Sequence, residues 1–285
     1  MNPAEEPRRG EAFYHLGIKP KDVARYVLLP GDPDRVPLIA KLWDDAREVA
    51  WHREFRVWSG LVAGKPISAC STGIGSSSAS IAVEELARAG ADTFIRVGST
   101  GAIQPEIRLG DLIISAAAVR FEGASMDYAP PEYPAFAHYE VLLALIEAAE
   151  SLGMRYHVGV TATTDSFYLG QGRRGYRGYE WSRSRSLIAD LRSMRVLNFE
   201  METSAIYVIA SIYGLRAGSV CAVFANRVRD EFEVVGEEDA ARVAVEAVKI
   251  IQEWDELKAE NGKPLIYPSL LGEWHSRRVS GINRT

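Results

Sequence analysis

The sequence is poor in cysteine and has no long apolar run. Only Cys70 and Cys221 occur among its 285 residues, and both lie in apolar, strand-like segments. We therefore expect reduced core thiols of a cytoplasmic protein, with a reactive thiol as the alternative. No apolar stretch approaches the roughly 20 residues that span a bilayer, and the polar, acidic N-terminus does not resemble a signal peptide. The sequence thus predicts a cytoplasmic protein with no membrane partner.

Positive charge is not in excess, and the signatures of two common site types are missing. Lysine and arginine number 33 against 38 acidic residues, which gives a formal net charge of −5. A protein that binds nucleic acid with its whole surface would be basic. The five histidines are scattered without metal-ligand spacing, which argues against a structural zinc site. The sequence also has no Gly-x-Ser-x-Gly elbow of a serine hydrolase.

What remains is the pattern of an α/β protein. A hydrophobic content of 47% suffices for a large core without disulfides. Apolar runs predict strands at 26–29, 51–58, 67–71, 93–97, 112–117, 157–163, 196–199 and 219–224. Helical patterns lie at 36–42, 77–89, 138–152, 203–213 and 238–260. The alternation predicts a three-layer α/β/α single domain at 13–260. We expect a flexible N-terminus at 1–12, a long mobile loop at 170–185 and an extended C-terminal tail at 261–285.

Two turns that combine glycine with arginine point to an oxyanion site. Residues 30–35 (PGDPDR) and 96–101 (RVGSTG) each lie where a predicted strand ends. Glycine lets backbone N–H groups approach an anion, and arginine supplies a planar charged fork that matches phosphate. Because ligands of open α/β sheets bind at such strand ends, Arg35 and Arg96 predict a two-sided phosphate clamp. Ordinary surface turns are the alternative.

A third turn and a pair of carboxylates follow two further predicted strands. Residues 71–77 (STGIGSS) resemble a dinucleotide-binding turn, but Ser78 replaces its third glycine and Arg96 its acidic residue. We interpret this segment as a tight turn, and the alternative is that it binds NADP. Glu200 and Glu202 lie between an apolar strand and an apolar helix. A carboxylate there can accept hydrogen bonds from a cis-diol, or can simply stabilise the helix N-terminus.

A fourth segment combines an aromatic ring, an amide and a guanidinium. Phe167, Gln171 and Arg173 lie within seven residues, and their donors and acceptors fit a uracil ring. A solvated basic loop is one alternative. Single-stranded RNA binding is another, because tyrosines interleave with arginines at 173–185, although the acidic overall balance argues against it.

Together these motifs resemble the nucleoside phosphorylase family. The matching stretches, in the family's order between residues 13 and 255, are YHLG at 14–17, PGDPDRV at 30–36, HREF at 52–55, CSTGIG at 70–75, IAVEEL at 81–86, RVGSTGAIQP at 96–105, HVGVTA at 157–162, FYLGQ at 167–171, EME at 200–202 and NR at 226–227. The resemblance implies a mixed, strongly twisted central sheet. It also implies reversible phosphorolysis of uridine to uracil and ribose 1-phosphate, in pyrimidine salvage.

The resemblance further implies a role for individual residues. Phosphate, a co-substrate, would be bound by Gly31, Arg35, Arg96 and Ser99, with Arg53 from a neighbouring subunit. Ribose would contact Met201 and Glu202, with His15 from that neighbour. The base would contact Thr100, Gly101, Phe167, Gln171, Arg173, Phe224 and Arg227. The catalytic residues would be Arg96, Glu202 and Arg227.

The same resemblance implies an assembly. Two subunits would complete each site within a homo-oligomer, a hexamer of three dimers. Glu54, Ile74 and Ser78 match positions that bind a monovalent cation, such as potassium, at the dimer interface. No organic cofactor is implied.

The chain departs from the family pattern at a few positions. Ser99 stands where threonine is usual, and Gly172 where an acidic residue is common. Phe224 and Ala225 replace smaller aliphatic residues, which would reshape the base pocket. Purine-specific relatives favour an aspartate near residues 226–227, so its absence favours pyrimidines. A purine or broad-specificity nucleoside phosphorylase, a nucleoside hydrolase and a non-catalytic nucleoside-binding module remain alternatives.

Overall fold

A mixed β-sheet forms the middle layer of the computed structural model, which describes residues 4–279. The strands are β1 (Arg8–Arg9), β2 (Ala12–Phe13), β3 (Tyr26–Pro30), β4 (Asp44–His52), β5 (Phe55–Val62), β6 (Lys65–Cys70), β7 (Thr93–Ala102), β8 (Leu112–Phe121), β9 (Ala135–Phe136), β10 (Tyr156–Thr164), β11 (Val196–Glu200), β12 (Arg216–Asn226) and β13 (Glu231–Phe232). All but β1 and β2 belong to one sheet, in the order β13-β12-β8-β10-β11-β7-β3-β6-β5-β4, with β9 beside β8.

The long strand β7 organises this sheet. It pairs in parallel with β3 and β12 and antiparallel with β11. Because β12 also pairs with β8, and β8, β10 and β11 are neighbours, five strands close on themselves. The register places Arg96 of β7 opposite Leu29 and Ser219, and Gly101 opposite Phe199. The ends of three strands that carry predicted site residues therefore meet.

Helices cover both faces of the sheet. They are α1 (Arg35–Ala40), α2 (Ser76–Ala89), α3 (Tyr139–Ser151), α4 (Ser182–Ser193), α5 (Thr203–Ile212), α6 (Glu237–Asn261) and α7 (Pro268–Val279). One apolar core lies between the sheet and α1, α3, α6 and α7, and a second between the sheet and α2 and α5. None of the described helices is both long enough and apolar enough to cross a membrane. The predicted three-layer arrangement around a mixed, twisted sheet is confirmed.

The strand predicted at 51–58 is wrong, because the chain reverses within it. Strands β4 and β5 form an antiparallel hairpin in which His52 pairs with Phe55. Arg53 occupies the turn with φ at +56°, a left-handed conformation that favours glycine or asparagine. The sequence HREF contains neither of these residues, so the usual turn signal is missing.

The predicted extended tail is also wrong within the described residues. After Gly262 the chain turns back and forms α7, which buries Leu270 and Trp274 against the core. The Trp274 ring packs edge-on against Trp254 of α6, with centroids 5.7 Å apart. The apolar residues of the tail are too few and too widely spaced to predict a helix from the sequence.

Two other segments contain regular structure that the sequence did not predict. Strands β1 and β2 pair within the N-terminal stretch that we expected to be flexible. The loop predicted at 170–185 contains a helical turn at Tyr176–Gly178, and α4 begins inside it. Helix α4 is polar and buries little more than Leu187 and Leu191, so its pattern is weak. Residues 1–3 and 280–285, parts of the predicted N-terminal and C-terminal segments, lie outside the described residues.

Candidate active site

A cavity of about 680 Å³ opens where β3, β7 and β11 end beside the first turns of α1 and α5. The predicted site residues that line it are Gly31, Arg35, Glu54, Ile74, Ser78, Arg96, Ser99, Thr100, Gly101, Phe167, Gln171, Arg173, Met201, Glu202 and Phe224. The fold therefore brings together seven stretches of the sequence, which extend from Gly31 to Phe224. A volume of this size suits a small-molecule site.

The two predicted clamp arginines both reach this cavity. Arg96 is 4% exposed, and Arg35 pairs with Glu237 in the first turn of α6 at 2.5 Å. Among residues 4–279, no hydrogen-bond partner is found for Nη1 of Arg96 or for Nε of Arg35. Buried donors without a partner are uncommon, since each costs free energy. Two such guanidinium groups beside one cavity are a ready site for an anion.

Gly98 is required for the position of Arg96. A Cβ atom at residue 98 would lie 2.8 Å from Nη2 of Arg96 and 2.8 Å from Sγ of Cys221. Any side chain there would displace the guanidinium from the cavity wall. The glycine of the RVGSTG turn therefore makes room for a side chain, in addition to any freedom it gives the backbone.

Two carboxylates hold Arg96 from the opposite side. Nε of Arg96 lies 2.8 Å from Oε2 of Glu200, and Nη2 lies 2.5 Å from Oε2 of Glu202. The second oxygen of Glu202 accepts a hydrogen bond from the backbone N–H of Gly75 at 2.6 Å. Glu200 also accepts bonds from the N–H groups of Glu202 and Thr203, at 2.8 and 2.9 Å, and so caps the start of α5.

The carboxylates of Glu200 and Glu202 share one cation, Arg96, in a buried environment. Burial raises the pKa of Glu202; the attraction of Arg96 offsets this only in part, and Glu200 raises it further. Burial alone would lower the pKa of Arg96, but Glu202, Cys221 and Glu200 together raise it above its ordinary value. Arg96 therefore remains a cation, and the cluster has more carboxylate than one guanidinium neutralises.

The other end of the cavity holds the predicted base-binding set. Nη1 of Arg173 donates to Oε1 of Gln171 at 2.5 Å and to the carbonyl of Phe167 at 2.7 Å. Its guanidinium lies 3.8 Å from the centroid of the Phe167 ring, a cation–π contact. Nη1 of Arg227 donates to the Gln171 carbonyl at 2.9 Å. The loop is thus held by its own Arg173 and by Arg227, which follows β12.

Two guanidinium groups lie close together at this end. Burial, and then the charge of Arg227, lowers the pKa of Arg173 to about 10. Burial also lowers the pKa of Arg227. Like charges in a half-buried site repel each other, so the pair favours a ligand on which negative charge develops.

Three predicted site residues do not line this cavity within the described chain, namely His15, Arg53 and Arg227. Arg227 lies directly behind it, through Gln171 and Gly101. His15 and Arg53 instead share an outer surface: Nδ1 of His52 contacts the carbonyl of His15 at 2.7 Å, and Arg53 lies over the ring of Tyr14 at 5.6 Å. The placement of His15 and Arg53 in a neighbour's site stays a prediction.

The three residues expected at a monovalent cation lie together beside the cavity. The hydroxyl of Ser78 lies within hydrogen-bond distance of two acceptors, Oε1 of Glu54 at 3.1 Å and the carbonyl of Thr72. Ile74 is 79% exposed. Carboxylate, hydroxyl and carbonyl oxygens are suitable ligands for a hard cation. The described residues contain no cluster of three or more His, Cys, Asp or Glu side chains that could hold a metal ion.

The structure adds residues that the sequence did not single out. These residues are Phe199 and Phe232, which line the cavity, whereas Glu200 was already one of the two candidate carboxylates. The EME motif contained the signal for Glu200. Phe232 is 74% exposed on β13 and reaches the cavity only because β13 pairs with Ala225 and Asn226. No local pattern in the sequence points to that contact.

The fold and this site define a phosphorylase. The model of the phosphorylase superfamily matches residues 25–253, and the chain belongs to this family. The resemblance that its motifs indicated is thereby confirmed.

Particular relatives are similar over most of their length. A uridine phosphorylase of Thermococcus kodakarensis is 64% identical over 270 residues, which cover 94% of this chain and 98% of the relative. A uridine phosphorylase of Escherichia coli is 45% identical over 243 residues, 84% of this chain and 95% of the relative. A guanosine phosphorylase of Halorubrum lacusprofundi is 38% identical over 214 residues, 75% of this chain and 83% of the relative.

Proposed function

We propose that this chain is a pentosyltransferase that catalyses the reversible phosphorolysis of uridine. Uridine and phosphate give uracil and ribose 1-phosphate. One observation carries the proposal: a single cavity is lined by two arginines that each have a partner-free donor atom among the described residues, by the carboxylate of Glu202 and by the Gln171–Arg173 pair. Its relatives named uridine phosphorylase support the choice of substrate.

Phosphate would bind between Arg35 and Arg96. Both arginines line the cavity together with Gly31 and Ser99, and each has a buried donor atom without a hydrogen-bond partner among the described residues. Arg53 of a neighbouring subunit would add a third guanidinium. Charge-assisted, two-pronged contacts from arginine hold a phosphate in a fixed orientation.

Ribose would bind over the carboxylate of Glu202 and the side chain of Met201. The two oxygens of Glu202 can accept hydrogen bonds from the 2′- and 3′-hydroxyl groups. His15 of the neighbour would contact the sugar from the opposite side. C1′ of the sugar would then lie between phosphate and the base.

The base would lie against Phe167, whose other face already carries the Arg173 guanidinium. Gln171 and Arg173 would face the carbonyl and N–H groups of uracil, and Phe224 would close the pocket with Thr100 and Gly101. As the C1′–N1 bond breaks, its electron pair goes to the base and C1′ becomes cationic. Arg173 and Arg227 stabilise the uracil anion, and a phosphate oxygen forms the new bond to C1′.

The assembly and location belong to the same proposal. The shared outer surface of His15 and Arg53 supports a dimer as the smallest active unit, and we propose a hexamer of three dimers. Glu54, Ile74 and Ser78 would contribute half of a potassium site at the dimer interface. Two free, buried cysteines fit a reducing compartment, so we place the enzyme in the cytoplasm, in pyrimidine salvage.

The decisive experiment follows uracil and hypoxanthine release from uridine and inosine, with and without phosphate. We expect uracil and ribose 1-phosphate from uridine only when phosphate is present. Uracil release without phosphate would indicate a nucleoside hydrolase. Faster release of hypoxanthine than of uracil would indicate a purine nucleoside phosphorylase, and binding without turnover a non-catalytic module.

A further inference from the structure

A buried carboxylate on α2 has no role in the proposed mechanism so far. Glu84 and Glu85 are neighbours on this helix, so their side chains point in directions about 100° apart. Glu84 accepts hydrogen bonds from the hydroxyl groups of Tyr128 and Tyr213, at 3.1 and 2.6 Å. Glu85 is instead only 7% exposed. Burying a carboxylate is costly unless donors compensate it, so the partners of Glu85 indicate what it does.

The partners of Glu85 lie in one short turn of the chain. The backbone N–H of Leu16 donates to Oε2 at 2.8 Å, and the backbone nitrogen of His15 lies 3.2 Å from both oxygens. Nδ1 of the His15 ring lies 2.7 Å from Oε1. Among residues 4–279, no lysine or arginine forms an ion pair with this carboxylate. Glu85 therefore holds the backbone and the ring of the same residue.

His15 is also fixed by contacts other than Glu85. Nδ1 of His52 contacts its carbonyl at 2.7 Å. The turn is closed by the N–H of Gly17, which donates to the carbonyl of Phe13 at 3.0 Å. Gly17 has φ at +69°, a conformation that glycine adopts without strain. The imidazole is thus attached to a rigid turn, and its own side-chain contact is the one with Glu85.

This contact sets the role of each ring nitrogen of His15. A carboxylate that accepts from Nδ1 requires the hydrogen of the neutral imidazole to be on Nδ1. The other nitrogen, Nε2, then has a lone pair and is an acceptor. Nε2 has no hydrogen-bond partner among the described residues, and the side chain is 25% exposed. Glu85 thus turns an acceptor toward a group outside these contacts.

The proposed function leaves one hydroxyl group for this acceptor. The 2′- and 3′-hydroxyl groups would bind to Glu202, so the 5′-hydroxyl is the remaining one on the sugar. His15 would reach that sugar from the neighbouring subunit. We infer that Glu85 is a positioning residue, which fixes His15 so that Nε2 accepts a hydrogen bond from the 5′-hydroxyl of the neighbour's riboside. The inference rests on the proposed function and adds a determinant of its specificity for the sugar.

A comparison of uridine with 5′-deoxyuridine tests this role. The two nucleosides differ only in the 5′-hydroxyl group, and both keep the groups proposed to bind Glu202 and the base pocket. The kcat/KM for phosphorolysis of uridine should exceed that of 5′-deoxyuridine by about tenfold, which is roughly the effect of one hydrogen bond. This ratio is the readout, because general damage to the fold would lower both values equally.

The variant Glu85→Gln should reduce the ratio to about twofold, within the range left by a weakened hydrogen bond. An amide has one acceptor oxygen, whereas Leu16 and Nδ1 of His15 both donate to the carboxylate. The ring or the turn therefore loses its acceptor. Glu85→Asp keeps the charge but is shorter by one methylene group, so it should also reduce the ratio. It provides the same test if Glu85→Gln does not assemble.

Two further variants assign the effect to the contact with His15. His15→Ala should reduce the ratio as Glu85→Gln does, and the double variant should reduce it no further, because Glu85 acts through His15. Glu84→Gln is the matched control, since it changes the adjacent carboxylate on α2, which contacts tyrosines rather than the turn. It should keep the ratio of the wild type.

The outcomes distinguish this inference from the proposed function. If the wild type cleaves uridine and 5′-deoxyuridine with equal kcat/KM, the inference is overturned and the proposed function stands. A ratio that stays near tenfold in both Glu85 variants, or that falls further when Glu85→Gln is added to His15→Ala, would also overturn it. If neither nucleoside is cleaved in the presence of phosphate, the proposed function itself fails.

Discussion

Replacing Arg96 by alanine should abolish most activity and also weaken the fold. Arg96 is the guanidinium that contacts both buried carboxylates, at 2.8 Å from Glu200 and 2.5 Å from Glu202. Removing one partner of a buried ion pair costs about 3–5 kcal/mol, because the other charge remains buried without compensation. Both carboxylates are at most 4% exposed, so solvent offers them little relief.

The expected loss of activity can be compared with the measured effect of removing a single hydrogen-bond donor from an active site. Removing one preorganised donor to a developing charge costs ~10²–10³ in rate. Arg96 offers phosphate a fork rather than one donor, so we expect kcat/KM for phosphorolysis to fall by at least ~10². The assay is uracil release at saturating uridine with phosphate varied, alongside urea unfolding of the same preparation.

A second variant separates catalysis from folding. Arg96→Ala combined with Glu202→Gln removes one of the two stranded charges and leaves Glu200, so part of the lost stability should return while activity stays low. The reasoning is refuted if the single variant keeps kcat/KM within tenfold of the wild type. It is also refuted if the double variant unfolds as readily as the single one.

Three further predictions concern the ribose, the acid stability and the C-terminal helix. Glu202→Gln should reduce kcat/KM for uridine more than for 2′-deoxyuridine, because the 2′-hydroxyl loses its acceptor; equal losses would contradict that role. Burial would raise the pKa of Asp255, but hydrogen bonds from Arg216 and other donors hold it below its ordinary value of 3.8. The resulting stability is present above that value and is lost as the pH falls below it, so Asp255→Asn should lower Tm at pH 7 and flatten its decline below about pH 4; a parallel decline would disprove this. Trp274→Ala, which removes the ring packed on Trp254, should lower the free energy of unfolding by about 3 kcal/mol with kcat unchanged; a change below about 0.5 kcal/mol, within the range of surface substitutions, would show that α7 contributes little.

Predictions from the sequence succeeded for elements whose structure follows from the hydrophobic pattern of neighbouring residues. The apolar run at 219–224 lies within β12, and most of the predominantly apolar stretch at 203–213 forms the buried helix α5. Predictions failed where the pattern was weak or absent. The β4–β5 turn at Arg53 has a left-handed conformation without a glycine, and α7 has only a few apolar contacts for its length.

The candidate site divides in the same way. Glycine beside arginine at strand ends, and the order of the motifs along the chain, were sufficient to predict Arg35, Arg96, Glu202 and Gln171 as neighbours. These residues are separated by up to 167 positions in the sequence, yet they line one cavity. Their residue types alone specified which chemical groups a ligand would meet.

The sequence by itself determined the layered α/β fold and the family, because hydrophobic periodicity and short motifs are properties of neighbouring residues. Only the tertiary structure decided that Glu202 pairs with Arg96, that Glu200 joins them, and that Phe232 reaches the cavity from β13. These contacts depend on how strands β7, β11 and β12 are registered in the sheet. Charge pairing across strands is set by distance in space, which no local pattern of residues encodes.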